Sequence, residues 1–193
     1  MRTEMTNLII LENWLLPKGR LELRITQTEV LQLIARHFKH GERIALGVQS
    51  SEGSFLPCMR HAVDVQVVDF FQLDDESLSF VFEGVQRLKV CETHPVSESL
   101  WQAKVRRLPD WPEQGLEKEF KVLSRALEYF YQTNPDISEL YSHVHLEDAN
   151  WVSQRWLEVL PIIDQDKLHL VNQPDCSEAM SFVLKMIIEQ QIQ

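Results

Sequence analysis

The apolar residues of this 193-residue chain change period once, and that change limits the fold more than any other feature. Up to Leu108 the clearest runs alternate. Arg20-Leu21-Glu22-Leu23-Arg24-Ile25 and Leu100-Trp101-Gln102-Ala103-Lys104-Val105-Arg106-Arg107-Leu108 read as half-buried strands. Pro109-Asp110-Trp111-Pro112 breaks the pattern. Beyond it Leu116, Phe120, Leu123, Leu127 and Phe130 recur at helical spacing. Strands first and helices afterwards imply an α+β chain with segregated layers. The expected division is a β-rich part over residues 1–112 and a helical part over residues 113–193.

The β-rich part is organised around Ala62 to Val90. Two β-branched and aromatic runs there flank the acidic turn Asp74-Asp75-Glu76, which predicts a hairpin continuing toward a third strand. Further strands are expected over residues 7–11 and 43–49, with a turn over 50–54 and a loop over 91–99 that holds Pro95. Thr26 and Glu29 have capping-box spacing, and the helix they open should bury Val30, Leu33, Ile34, His37 and Phe38 before ending at Gly41. In the helical part, Asn134-Pro135 stops the first helix. Asp148 caps a helix with Val152, Trp156, Val159 and Leu160 on one side. Asp175 and Glu178 repeat the capping-box spacing before a final helix whose inner stripe is Ala179, Phe182, Val183, Met186 and Ile187.

Charge narrows the function. The net charge is −10, with Lys+Arg against Asp+Glu at 8 to 6 over residues 1–60, 5 to 9 over 61–112 and 6 to 14 over 113–193. Such a surface repels phosphate backbones, so nucleic-acid binding is disfavoured. The three cysteines, Cys58, Cys91 and Cys176, are far apart and form no CxxC, so neither a zinc site nor a disulfide framework is indicated. No run is apolar enough to span a bilayer, and Glu12 interrupts the N-terminal apolar run early, so a cytoplasmic protein with reduced thiols is expected.

Four stretches carry a family resemblance. They are Leu15 to Ile25 with Pro17 and Gly19, Ala45-Leu46-Gly47-Val48, the hairpin with Asp69, Gly84 and Arg87, and Trp101 to Asp110. In this order they resemble the N-terminal substrate-binding domain of Lon proteases, in its stand-alone bacterial form. Leu157-Glu158-Val159-Leu160-Pro161-Ile162 stands where that family has a leucine-proline motif. The glycine that usually follows the proline stands one place later here, at Gly19, and Ala62 replaces a usual glycine. The resemblance implies a PUA-like β-barrel of about six strands with one early helix, followed by a C-terminal α-helical bundle. Full Lon proteases add an ATPase and a Ser-Lys protease module. The chain contains no Gly-x-x-x-x-Gly-Lys-Ser/Thr, so any link to proteolysis is expected to be by association rather than by its own activity.

Each conspicuous residue has a plain structural reading beside a functional one. Gly84 and Arg87 read as a strand bend and an internal tie to a carboxylate such as Asp69, against contact of Arg87 with a bound peptide. His37/His40 and His143/His145 have metal-compatible spacing but no third ligand at a motif distance, so no metal or other cofactor is expected. No serine lies in Gly-x-Ser-x-Gly, and Cys58 near His61 is only proximity in sequence, so no catalytic residue is assigned. Trp14, Phe55, Trp101 and Trp111 lie at strand ends and loops, where exposed aromatic surface can contact a polypeptide.

The reading is a non-catalytic module that binds unfolded or exposed apolar polypeptide, with polypeptide substrates or a protease or chaperone as partner. A small-molecule enzyme or ligand sensor using Cys58, Arg60 and His61 is the alternative. RNA binding through Lys104, Arg106 and Arg107 is the third.

Overall fold

The structure is a computed structural model that describes residues 2–49 and 58–190. The expected turn over 50–54 and the segment up to Pro57 lie outside the described residues. The chain divides into two compact units, Met1–Leu108 and Pro109–Gln193. The expected α+β class is what is found.

In the first unit β1 (Glu4–Leu11) runs parallel to β3 (Ile44–Gln49), with Leu8 opposite Ala45. The crossover between them contains β2 (Arg20–Ile25) and α1 (Thr28–His40). From β3 the sheet continues antiparallel into β4 (Cys58–Gln72) and then β5 (Leu78–Pro95). β5 is long enough to serve two partners. Its first half pairs with β2, and its second half with β6 (Trp101–Arg107). Because β6 also pairs with β1, the strands β1, β3, β4, β5 and β6 close on themselves while β2 stays attached to β5 alone. The sheet is therefore not a regular barrel.

Alternation makes this closure possible. On β1, Leu8 joins a cluster with Ala45, Ala62, Leu88 and Ala103, whereas Ile9 faces the other way into a cluster with Leu33, Ile44 and Phe82. Helix α1 covers the second cluster with Val30, Leu33 and Ile34. It ends as expected at Gly41, whose φ of 68° is the left-handed value glycine tolerates and whose N–H bonds the His37 carbonyl.

Several expectations are corrected. The Thr26–Glu29 capping box does not form. Gln27 is the N-cap, without a side-chain cap, and the Glu29 carboxylate instead accepts from Ser97 Oγ at 2.9 Å. Residues 91–95 are strand rather than loop, because β6 supplies them a partner across a bulge between Val90 and Glu92. Phe38 is not in the buried stripe and lies 55% exposed.

Gly84 is required by close approach. Its N–H donates to the Gly19 carbonyl at 2.9 Å, and its own carbonyl accepts from Lys18 N–H at 2.7 Å. A Cβ here would stand 2.2 Å from the Leu16 carbonyl oxygen. Val85 is the extra residue of a bulge beside it, since Asp64 faces Gln86 and Val65 faces Gly84. In the adjoining turn Lys18, not a glycine, takes a positive φ of 62°.

The second unit holds α2 (Lys121–Thr133), the single turn α3 (Pro135–Ser138), α4 (Ala149–Val159), α5 (Asp164–Val171) and α6 (Ser177–Gln190). Asp148 caps α4 as expected, accepting from Asn150 N–H at 2.9 Å. α4 is buried on all sides from Trp151 to Leu157, not on one face. Its buried Arg155 is paired with Glu158 at 2.7 Å. The second capping box also fails to close. Asp175 accepts from Ser177 N–H, but Glu178 bonds His169.

Candidate functional site

Where α1 runs past the sheet, the core cluster reaches the surface as a row of aromatic rings. Phe38, in the last turn of α1, packs on Phe70 of β4 with centroids 6.0 Å apart. Phe70 in turn stacks on buried Phe80, also at 6.0 Å, and Phe80 meets buried Phe82. Phe38 and Phe70 are 55% and 56% exposed, and Val67, Leu31 and Leu78 form the half-buried margin beneath them. Phe70 reaches this position because β4 and β5 extend beyond β3, whose pairing to β4 stops at Ile44 opposite Val65. Two half-exposed phenylalanines backed by a continuous aromatic core offer apolar surface.

The residues expected to contact polypeptide are placed differently. Trp14 and Trp111 are each only 6% exposed, so neither has a free face. Trp14 stacks on His61 at 5.2 Å. Trp111 donates its indole N–H to the Gln173 carbonyl at 2.8 Å within the second unit. Trp101 lies on β6 opposite Leu8 and Pro95 and packs against the small-residue cluster. Phe55 lies outside the described residues. Trp14 and Trp111 thus have packing roles, whereas Trp101 is only partly buried. Phe38 escaped the sequence reading because its spacing placed it in the buried stripe of α1, and Phe70 because the bulge between Val67 and Asp69 shifts its face. The available signal was position, Phe38 in the last turn before Gly41 and Phe70 near the hairpin turn.

The family-signature residues also find places. Pro17 opens the turn that Gly84 packs against, with Gly19 closing it. Gly47 faces Ala62 where the β3–β4 register shifts, the extra residues lying on β4. Arg87 is buried opposite Val63, whereas Asp69 is exposed opposite Val81, six positions along β4. The Asp69 carboxylate accepts from Phe70 N–H at 2.8 Å, so the expected Arg87–Asp69 tie does not form.

His61 is a buried neutral group. Burial, and then the nearby Arg87 guanidinium, push its pKa down to about 3. Neither ring nitrogen has a hydrogen-bond partner among the described residues. So weak a base does not suit it to activate a thiol. The Cys58 side chain falls outside the described residues. Burial pushes the Cys176 thiol up to about 11, so it is not a nucleophile either. At the acidic turn, hydrogen bonds from Ser77 hold the Asp75 carboxyl below its usual range, and its ion pair with Arg24 adds to this. The basic residues proposed for RNA are partly neutralised, Lys104 by Glu92 at 3.0 Å and Arg107 by Glu4 at 2.7 Å. No group of three His, Cys, Asp or Glu residues suited to a metal occurs among the described residues, and no described helix is long and apolar enough to cross a membrane.

Residues 6–189 match the family described as the ATP-dependent protease La (LON) substrate-binding domain. The fold is similar to the crystal structure of a Lon N-terminal domain protein from Xanthomonas campestris. The TM-score is 0.73 at 20% identity, covering 94% of this chain and 98% of that one. It is also similar to the N-terminal domain of a Mycobacterium avium complex Lon protease, at a TM-score of 0.61 and 12% identity, covering 94% and 97%. No curated protein sequence matches the chain.

Proposed function

The chain belongs to the Lon substrate-binding domain family, and from that premise we propose that it is a non-catalytic module that binds exposed apolar stretches of unfolded polypeptide at the Phe38–Phe70 margin. The observation that carries the reading is the pair of half-exposed phenylalanines resting on the buried Phe80 and Phe82. Exposed aromatic surface of this kind gains free energy when covered by apolar side chains, on the order of 25 cal/mol per Å² of apolar area removed from water. It needs no fixed partner sequence. A non-catalytic role agrees with a margin made of apolar side chains, and away from it His61 and Cys176 are a poor base and a poor nucleophile. A protease or chaperone that receives the bound polypeptide is the partner class that the family suggests, and a cytoplasmic location suits both.

The test is a titration of the purified full chain with a permanently unfolded polypeptide, such as reduced and alkylated casein, beside a folded control of matched charge. Saturable binding to the unfolded polypeptide alone is expected. Equal binding to both, or to neither, contradicts the reading.

A further inference from the structure

We propose that Lys89 and Arg106 form a carboxylate-binding pair, and that the polypeptide this chain takes up carries acidic residues flanking its apolar stretch. The inference rests on the polypeptide-binding reading and names the class of polypeptide. Lys89 of β5 stands directly opposite Arg106 of β6. Side chains so placed have Cβ atoms about 5 Å apart, and like charges there repel. Both residues are partly exposed, and among the described residues neither has an ion-pair partner. The Arg106 Nε is closed off from solvent and has no hydrogen-bond partner among them either. The neighbouring cations differ, since Lys104 is held by Glu92 at 3.0 Å and Arg107 by Glu4 at 2.7 Å. The chain has 29 acidic residues against 19 basic ones, so a fold that neutralised this pair internally had carboxylates to spare. A carboxylate from outside attracts both cations and offsets their repulsion.

Alternation sets the pair on the same face of the sheet as the aromatic row. Leu88 and Val90 point into the small-residue cluster, so Lys89 between them points the other way, as does Arg106 beside Val105. Arg87 shares that side with Lys89 and stands opposite Val63, which belongs to the cluster of Phe80 and Phe82. Phe70 stands opposite Phe80 and stacks on it, so it lies on that face too. From Phe80 to Lys89 strand β5 advances at most about 30 Å, at about 3.3 Å per residue. An extended segment of about nine residues spans that length. One bound polypeptide is therefore long enough to cover the Phe38–Phe70 margin and set a carboxylate at Lys89 and Arg106.

The pair suits single carboxylates rather than a nucleic acid. A phosphate backbone sets its charges in a row and needs a matching run of cations, and the net charge of −10 repels it. Glutamate and aspartate side chains come singly, and a guanidinium and an ammonium side by side give one of them charge-assisted donors from two directions.

The experiment titrates the full chain with three peptides that share a central block of valine and phenylalanine. On each side a glycine-serine spacer of about nine residues leads to a terminal cluster of glutamates, glutamines or lysines. Net charge alone ranks the lysine peptide first and the glutamate peptide last. The pair instead makes the glutamate peptide about fivefold tighter than the glutamine peptide, or about 1 kcal/mol. That advantage should vanish in Lys89→Gln/Arg106→Gln. It should persist in Lys118→Gln/Lys121→Gln, which removes the same charge from exposed positions of the second unit. On the unaltered chain it should shrink in about 0.5 M salt, a response that decides the matter if the first variant loses its cooperative melt. A ranking by net charge alone, an advantage that survives Lys89→Gln/Arg106→Gln, or one that salt leaves unchanged overturns the pair. Tighter binding of an oligoribonucleotide than of the glutamate peptide overturns the choice of a carboxylate. If the glutamine peptide still binds in any of those cases, the polypeptide-binding reading survives. If no peptide binds and reduced casein also fails, both fall.

Discussion

A methyl group at residue 84 would stand 2.2 Å from the Leu16 carbonyl oxygen and 3.2 Å from Val63 Cγ2. The first obstacle is backbone, which cannot swing aside as a side-chain tip can. Gly84→Ala is therefore expected to cost about 2–3 kcal/mol, read from the urea midpoint. Lys18 is the converse case. Its φ of 62° is strained for any residue with a Cβ. Lys18→Gly should raise stability by up to about 1 kcal/mol, since relief of that strain outweighs the added freedom of the unfolded chain. His61 links stability to pH. Its pKa is 6.5 when unperturbed and about 3 in the fold. Above pH 6.5 it is neutral in both states and its contribution is complete. As pH falls toward 3 the unfolded chain takes up a proton that the folded protein refuses, so stability is lost across that window. His61→Gln should remove up to about 1.4 kcal/mol per pH unit of the acid slope, measured as the difference between two denaturation series from pH 7 to pH 4.

At the scale of elements, two helix starts that each offer a capping side chain in sequence separate in the structure. Asp148 accepts from Asn150 N–H at 2.9 Å, so Asp148→Ala is expected to cost about 1 kcal/mol. Thr26 caps nothing, so Thr26→Ala should cost under about 0.5 kcal/mol, both variants being compared with the parent by thermal melts. Capping-box spacing is legible in sequence. Whether the carboxylate at its end has a better partner is not, and Ser97, far along the chain, holds Glu29. The bounds of β2 match the reading residue for residue because its alternation is strict and one face is buried. The end of β5 was missed because Cys91 to Pro95 is polar, and only the approach of β6 makes it a strand. α4 was read as one-sided because Gln154, Arg155 and Glu158 look like a solvent face. The structure buries Arg155 and supplies Glu158 as its counter-charge. Glu158→Ala should then cost about 3 kcal/mol or more, since it strands a buried guanidinium.

At the scale of the whole molecule, the α+β class followed from one change of period. The candidate site did not. Tryptophans drew attention because large aromatics at strand ends can form a groove, yet packing and hydrogen bonding withdraw Trp14 and Trp111 from solvent. Phe38 carries the right period to be buried, whereas Phe70 falls in step with Asp64 and Gln66 until the bulge after Val67 shifts the register. Phe70 is exposed where the β4–β5 hairpin outruns β3, and Phe38 packs beside it, a tertiary fact that no local pattern encodes.

The most direct measurement is the affinity of Phe38→Ser/Phe70→Ser for unfolded polypeptide, set beside that of the parent chain under the same conditions. Each ring contributes about half its surface, worth on the order of 1–2 kcal/mol when covered. The double substitution should weaken binding by about tenfold to a hundredfold while the protein keeps a cooperative thermal melt. Unchanged affinity in a folded double variant would contradict the account.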